Sequence, residues 1–387
     1  MGLFAKLPLK PDPFLLFLIG VVAAASLAPV SGVMADWVGK LADLAIVLLF
    51  FLHGAKLSRE AILRGAGNWR LHLLVLGSTY VLFPALGLGL AALAAGWVDP
   101  VLLSGLTYLS LLPSTVQSSI AFTAIAGGNV AAAVCSASLS NLLGIFLTPL
   151  LVGLFMNAAG EGAASSWHAI EAIIFQLLVP FLGGHLLRPL IGGFIDHHKK
   201  ILQPVDRGSI LLVVYSAFSA AVIQGIWTKV SGFDLLALLL LSAVILAVVM
   251  IVNSLVARLI GMPREDSIVM LFCGSKKSLV SGVPMAGALF PPAQVGMIIL
   301  PLMIFHQLQL FLCAWLANRL RRQGEAPAMA EAIAAVDPTA LPRTEAEIDA
   351  AAAKIGIAIP EGCKPGVAAN LELLGRHADR LVGKRQT

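Results

Sequence analysis

Ten apolar runs, each close to twenty residues long, dominate this 387-residue sequence and decide what it can fold into. A run of that length, coiled as an α-helix, crosses a hydrocarbon core about 30 Å thick. The runs read as spans at residues 14–30, 38–54, 70–95, 101–126, 130–156, 169–189, 207–228, 234–259, 265–289 and 294–318. Inside lipid the backbone has no water to bond with, so each run must satisfy its own N–H and C=O groups, as a helix does. The alternating pattern of a membrane barrel is absent. Composition agrees, at 58% hydrophobic and 12% charged, against roughly a quarter charged in soluble domains. The expected fold class is an all-α polytopic membrane protein with ten transmembrane helices.

The net charge of +5 does not point to nucleic acid, because the cations are sorted by side. With the N-terminus inside, one side carries Lys6, Lys10, Lys56, Arg59, Arg64, Arg70, Arg188, Lys199, Lys200, Arg207, Arg258, Arg264, Arg319, Arg321 and Arg322. The other side has only Lys40 and Lys229. Lys and Arg accumulate on the cytoplasmic side of spans. The expectation is therefore a multi-pass protein of the cell inner membrane, with both termini cytoplasmic and the lipid bilayer as its surroundings. Lys6 and Lys10 before an apolar run resemble a signal peptide, but Asp12 and Pro13 interrupt it, so the run reads as the first membrane helix. Cys135, Cys273, Cys313 and Cys363 have neither disulfide-framework nor zinc-ligand spacing.

Two spans look broken at matching places, fourth of the first five and fourth of the second five. One reads Leu111-Leu112-Pro113-Ser114-Thr115-Val116-Gln117-Ser118-Ser119, and the other Leu271-Phe272-Cys273-Gly274-Ser275-Lys276-Lys277-Ser278. Each has an apolar half, a helix breaker, a polar cluster and a second apolar half. A five-helix unit followed by its copy inserts upside down, because five is odd. The reading is two inverted repeats, about 12–157 and 168–320, and interrupted segments in corresponding positions mark a transporter's binding site.

Lys276 and Lys277 fall halfway along a span, where an ammonium costs several kcal/mol unless it finds a partner or water. Either a lysine serves a structural carbonyl or carboxylate, or it faces a water-filled substrate or ion pathway. Ser114, Thr115, Gln117, Ser118, Ser119, Thr123 and Asn129 supply neutral donors and acceptors, though small hydroxyl residues also serve plain helix packing. Ser136, Ser138, Ser140 and Asn141 follow the same logic. His306, Gln307 and Gln309 put a polar patch on the last span, and Asp43, His53 and Lys56 read as structural or gating groups. No G-x-S-x-G, Walker A or H-E-x-x-H sequence is present, so neither an enzyme nor an ATP-driven pump is expected. No cofactor is expected beyond a coupling ion, Na+ or H+.

Pro113, Ser118-Ser119, Gly128-Asn129, Thr148-Pro149, Gly274 to Ser278 and Phe305-His306-Gln307 together resemble the bile-acid/sodium symporter family. Phe51-Leu52-His53-Gly54 and Cys273 to Leu279 look like its SBF-like branch. The similarity covers roughly residues 12–320. It implies ten helices in a panel and a core domain, with helices 4 and 9 broken and crossing. It also implies alternating access to an organic anion. The family's sodium-binding glutamate falls at Phe272 and the glutamine four residues later at Lys276. A glutamine of the third helix falls at Thr79, and two hydroxyl ligands at Ala133 and Ala137, while Ser118 or Ser119 matches a sodium-ligand serine. An ammonium there repels a sodium ion, so Lys276 is expected to stand where the cation stood. The expected function is a secondary transporter of a small organic anion. The alternative is a non-transporting ligand sensor or regulator that signals through the tail.

From residue 323 the composition turns polar and Ala-rich. Pro327, Pro338 and Pro342 mark a linker over 323–343, followed by a small helical cytoplasmic unit at 344–387. Ile348 to Ile357, with Gly366 to Leu374, resembles the GatC-like accessory subunits of amidase-type hydrolases. That resemblance implies a cytoplasmic amidase as partner, met by Val367, Leu371, Leu374 and Leu381 at helical spacing. The other reading is a tail with no partner.

Overall fold

The computed structural model describes residues 13–56, 67–157, 174–335, 342, 344–354 and 358–383. The elements expected before residue 13, over 57–66 and over 158–173 lie outside these, including part of the span expected at 169–189. The chain divides into two compact units, Met1–Asn318 and Arg319–Thr387. In the first, α1 is Pro13–Leu27, α2 Val33–Lys56, α3 Trp69–Leu93, α4 Pro100–Ser110, α5 Gln117–Ile125 and α6 Val130–Asn157. Next come α7, Val179–His197 behind a π-turn at Ile174–Leu178, α8 Lys199–Ile223 and α9 Gly232–Leu259. The series closes with α10 Arg264–Gly274, α11 Leu279–Leu289 and α12 Pro292–Ala335. No strand forms among the described residues. Seven of their helices are long and apolar enough to cross a membrane, and α4 and most of α1 are shorter apolar helices. The protein is all-α and polytopic.

Local sequence starts and stops these helices. Asp99 caps α4 by accepting from the backbone N–H of Val101 at 2.8 Å, and Pro100 fills the first turn, where no N–H is needed. Ser231 and Asp234 form a reciprocal capping box ahead of α9. Gly127, at φ 72°, reverses the chain between α5 and α6. The fourth and ninth spans are each two helices, parted at residues 111–116 and 275–278.

Packing partners come in matched pairs. Helix α2 lies on α7 as α8 lies on α1, and α3 lies on α4 as α9 lies on α10. The two halves of the chain thus pack in corresponding ways. The α2–α7 contact is nearly backbone on backbone, since a Cβ at Gly54 would run into the carbonyl of Phe181 and one at Gly184 into that of Phe51. Small residues let membrane helices approach this closely. Helices α1, α2, α7 and α8 form one group. In the other, α3, α6 and α10 share a buried cluster of Leu71, Val75, Ala132, Ala133, Ala137, Val269, Met270 and Cys273. Helix α12 reaches both groups, with Gly296 against Ala221 of α8 and Ile298 against Gly105 of α4.

The segment expected as a linker from residue 323 begins as helix, since α12 continues to Ala335. Alanine is the best helix former, and the alternate alanines from Ala326 to Ala335 outweigh Pro327. In the second unit, α13 is Glu345–Lys354 and α14 Lys364–Gly383. Thr344 and Glu347 cap α13 reciprocally, and Lys364 reaches Asp349 at 3.0 Å and Glu361 at 2.7 Å. On α14, Leu374 is exposed while Val367 and Leu371 are half-buried; the side chain of Leu381 lies outside the description.

Candidate functional site

The two breaks meet. Ser278 donates its N–H to the carbonyl of Pro113 at 2.9 Å, and Ser114 donates its hydroxyl to the carbonyl of Cys273 at 2.6 Å. Each interrupted segment thus satisfies backbone groups that the other has left without helical partners. Ser140 of α6 accepts from the Ser114 N–H at 3.1 Å, and Ser78 of α3 donates to the Gly274 carbonyl at 2.8 Å. A side chain at Gly274 would meet Asn253 at 2.7 Å, so the breaker here also admits α9.

Lys277 sits at the centre of this crossing, fully buried. Its Nζ donates to the carbonyls of Thr79 at 2.8 Å, Ser110 at 2.8 Å and Leu112 at 2.6 Å, and lies 4.2 Å from the Phe83 ring centroid. The local fold leaves these carbonyls free. Helix α3 has a π-turn at Ser78–Leu82, in which the Phe83 N–H bonds to Ser78, and residue 84 is a proline with no N–H. Thr79 therefore loses both donors that would normally reach its oxygen. Ser110 and Leu112 lie at the C-terminal end of α4, where carbonyls are orphaned and the helix dipole is negative. Three donors of one ammonium meet three acceptors. Gln309 brackets the same residue, accepting from the Lys277 N–H at 2.9 Å, donating to its carbonyl at 2.9 Å and donating to His306 Nδ1 at 2.8 Å.

Lys276 is also fully buried but points elsewhere. Its Nζ lies 4.0 Å from the Phe122 ring centroid and 5.5 Å from that of Phe272, without a hydrogen-bond acceptor. Lys276, expected to stand where the cation stood, meets no oxygen here, and the ammonium bonded to backbone carbonyls is that of its neighbour Lys277.

Beside the crossing, a cavity of about 450 Å³ opens between α1, α2, α7 and α8 on one wall and the broken helices with α6 and α12 on the other. Thr115, Gln117, Ser118, Ser278 and His306 line it, as do Ser138, Asn141 and Ser281. The opposite wall carries Phe14, His53, Lys56, Gln203, Asp206 and Arg207. Lys56 is paired with Asp206, Arg207 lies over the Phe14 ring, and the His53 ring donates to the Leu49 carbonyl at 2.9 Å.

Of the residues singled out in the sequence, Pro113, Ser114, Thr79, Gly274 and Lys277 build the crossing. Ser275 closes back on the Leu271 carbonyl at 2.5 Å, and Ser278 caps α11 through the Ser281 N–H at 3.1 Å. Thr115 lies 2.7 Å from Ser118 Oγ and 3.1 Å from Ser119 Oγ, and Ser119 donates to the Phe272 carbonyl at 3.3 Å. Thr123 and Gln307 each keep a buried oxygen without a partner, away from the cavity wall. Asn129 belongs to another job: it caps α6 through the Ala132 N–H at 3.0 Å and donates to Asp266 at 2.9 Å. Arg207, a mark of topology in the sequence, and Lys56, read there also as a structural or gating group, both line the cavity, and Asp206 joins them without a signal of its own in the sequence. No group of three metal-ligating side chains stands together among the described residues.

Interrupted membrane helices that cross beside a polar cavity define a solute transporter. The chain belongs to the SBF-like CPA transporter family, whose pattern matches residues 12–322. It is 56% identical over 318 residues to "Putative symporter YfeH" of Escherichia coli (strain K12), spanning 81% of this chain and 94% of that protein. It is 28% identical over 319 residues to sodium/bile acid cotransporter 7-A of Xenopus laevis, spanning 81% of this chain and 92% of that one. Sodium/bile acid cotransporter 7 of Mus musculus is 26% identical over 306 residues, at 76% and 89%.

Proposed function

We propose that this chain carries a small organic anion across the membrane by alternating access, and that it holds a built-in ammonium where related symporters hold sodium. The observation that carries the reading is the Lys277 ammonium, bonded to three backbone carbonyls of the crossing helices. One of those oxygens belongs to Thr79, the position that matches a sodium-ligand glutamine. The remaining expected ligand positions also argue against sodium. Phe272 offers no oxygen from its side chain, and Ala133 and Ala137 lie in an apolar cluster. Ser119 has a carbonyl partner and Ser118 a hydroxyl one. The cavity supports an anion, since Lys56 and Arg207 line it against the single carboxylate of Asp206, an excess of one positive charge.

The test is uptake of labelled taurocholate and, separately, succinate into proteoliposomes, with choline replacing sodium. Uptake that persists in choline supports the reading, and strict sodium dependence overturns the built-in cation. Saturable binding without flux would make the protein a sensor instead.

A further inference from the structure

Lys277 and Lys276 are adjacent in sequence and opposite in environment. Lys277 has every ammonium hydrogen engaged, so its charge is fixed in place. Lys276 Nζ is buried without an acceptor, against the faces of Phe122 and Phe272. Aromatic faces attract an ammonium but take no hydrogen bond from its three N–H groups. The amine form asks for none of them, so a modest change in packing around this nitrogen decides whether it carries a proton.

Helix α5 faces the amine with Phe122, α10 with Phe272 and the Cys273 thiol, and α12 with the Cys313 thiol. The neighbouring Lys277 ammonium turns away toward Phe83. No carboxylate acts on Lys276 among the described residues. Hydroxyls lie between the cavity and the rings around this amine. Thr115 and Ser118 line the cavity, and Thr115 lies 3.1 Å from Ser119 Oγ. Ser119 stands three residues before Phe122, on the same face of α5. These hydroxyls reach from the cavity wall to within one helical turn of Phe122, the ring that covers Lys276, and none of them is hydrogen-bonded to the amine.

We propose that Lys276 is a proton-binding site that couples the movement of the anion to the proton gradient. In one access state the nitrogen holds the proton. In the other, a movement that brings water from the cavity to the amine lets the Nζ–H bond break, the proton passes to that water, and the electron pair stays on the amine. This rests on the reading of the chain as a transporter, but the site itself can be tested without a substrate.

The first measurement is a lysine ε-nitrogen NMR titration of the full chain in lipid nanodiscs, from mildly acidic to alkaline buffer. The Lys276 signal is identified by its loss in Lys276→Met, with Lys276→Gln as a second variant should the first not fold. The expected result is a signal that crosses from ammonium to amine within the range, whereas Lys277 stays ammonium throughout. A Lys276 signal that never changes form overturns the proposal and leaves the transport reading untouched. The second measurement uses wild-type protein in choline-buffered vesicles loaded with pyranine, with taurocholate added outside. Proton movement that accompanies the anion supports coupling, and anion uptake with no proton movement overturns it. If this probe does not enter, the substrate assignment is at fault and the titration still decides the site.

Discussion

Single side chains decide whether the crossing holds. Lys277→Met would leave the carbonyls of Thr79, Ser110 and Leu112 without their donor, and each buried unsatisfied group costs about 1–3 kcal/mol. The expected outcome is a large fall in melting temperature, read by thermal unfolding in detergent, with little protein left to assay for flux. Lys277→Arg should not restore it, because a planar guanidinium cannot direct three donors toward three oxygens around one point. The sequence exposes both lysines as misplaced charges, but it cannot say which of them finds the oxygens. That depends on where the orphaned carbonyls lie, and the one on Thr79 exists only because a π-turn and Pro84 coincide. Gln309 is legible only as part of a polar patch, since its bonds to the Lys277 backbone join residues 32 apart in sequence.

At the level of elements, the breaks were the most legible feature, because Pro113 and Gly274 interrupt apolar runs that are otherwise continuous. The close contact of α2 with α7 was not legible, since Gly54 and Gly184 look like any other glycines of a membrane helix. Gly54→Ala should force the two backbones apart, and overpacking of this kind typically costs about 1–3 kcal/mol; thermal unfolding would read it, and an unchanged melting temperature would refute the close contact. Pro84→Ala tests the π-turn. It supplies an N–H at residue 84, which lets α3 return to regular hydrogen bonding and engages the Thr79 carbonyl internally. The variant should therefore lose stability although an isolated helix would gain it, and a rise in melting temperature would show that Lys277 does not need that oxygen. Asn129 shows the opposite limit: a polar residue beside the broken span was read as part of the site, yet it serves as a helix cap tied to Asp266.

For the whole molecule, the distribution of Lys and Arg predicts an even number of crossings with both ends on the cytoplasmic side. A single cysteine placed within residues 58–68 should react with an impermeant reagent only from that side, and labelling from the periplasm would refute the topology. The last unit, Arg319–Thr387, is compact by itself, so a chain cut after Arg322 is expected to insert and to keep its uptake, and loss of uptake would make the tail part of the carrier. The all-α polytopic class is readable from the apolar runs, but the cavity is not, because its walls join residues from Phe14 to Leu310. The three carbonyls that hold Lys277 have a consequence for how the protein is made. Residues 79, 110 and 112 leave the ribosome long before residue 277. When the ninth span enters the bilayer, each of its two lysines carries a penalty of about 2.5–3.5 kcal/mol on insertion scales, and the first half of the chain is already there to receive one of them. Biogenesis then has an order, in which the first repeat acts as a template for the second, and a second repeat synthesised alone should stall at that span.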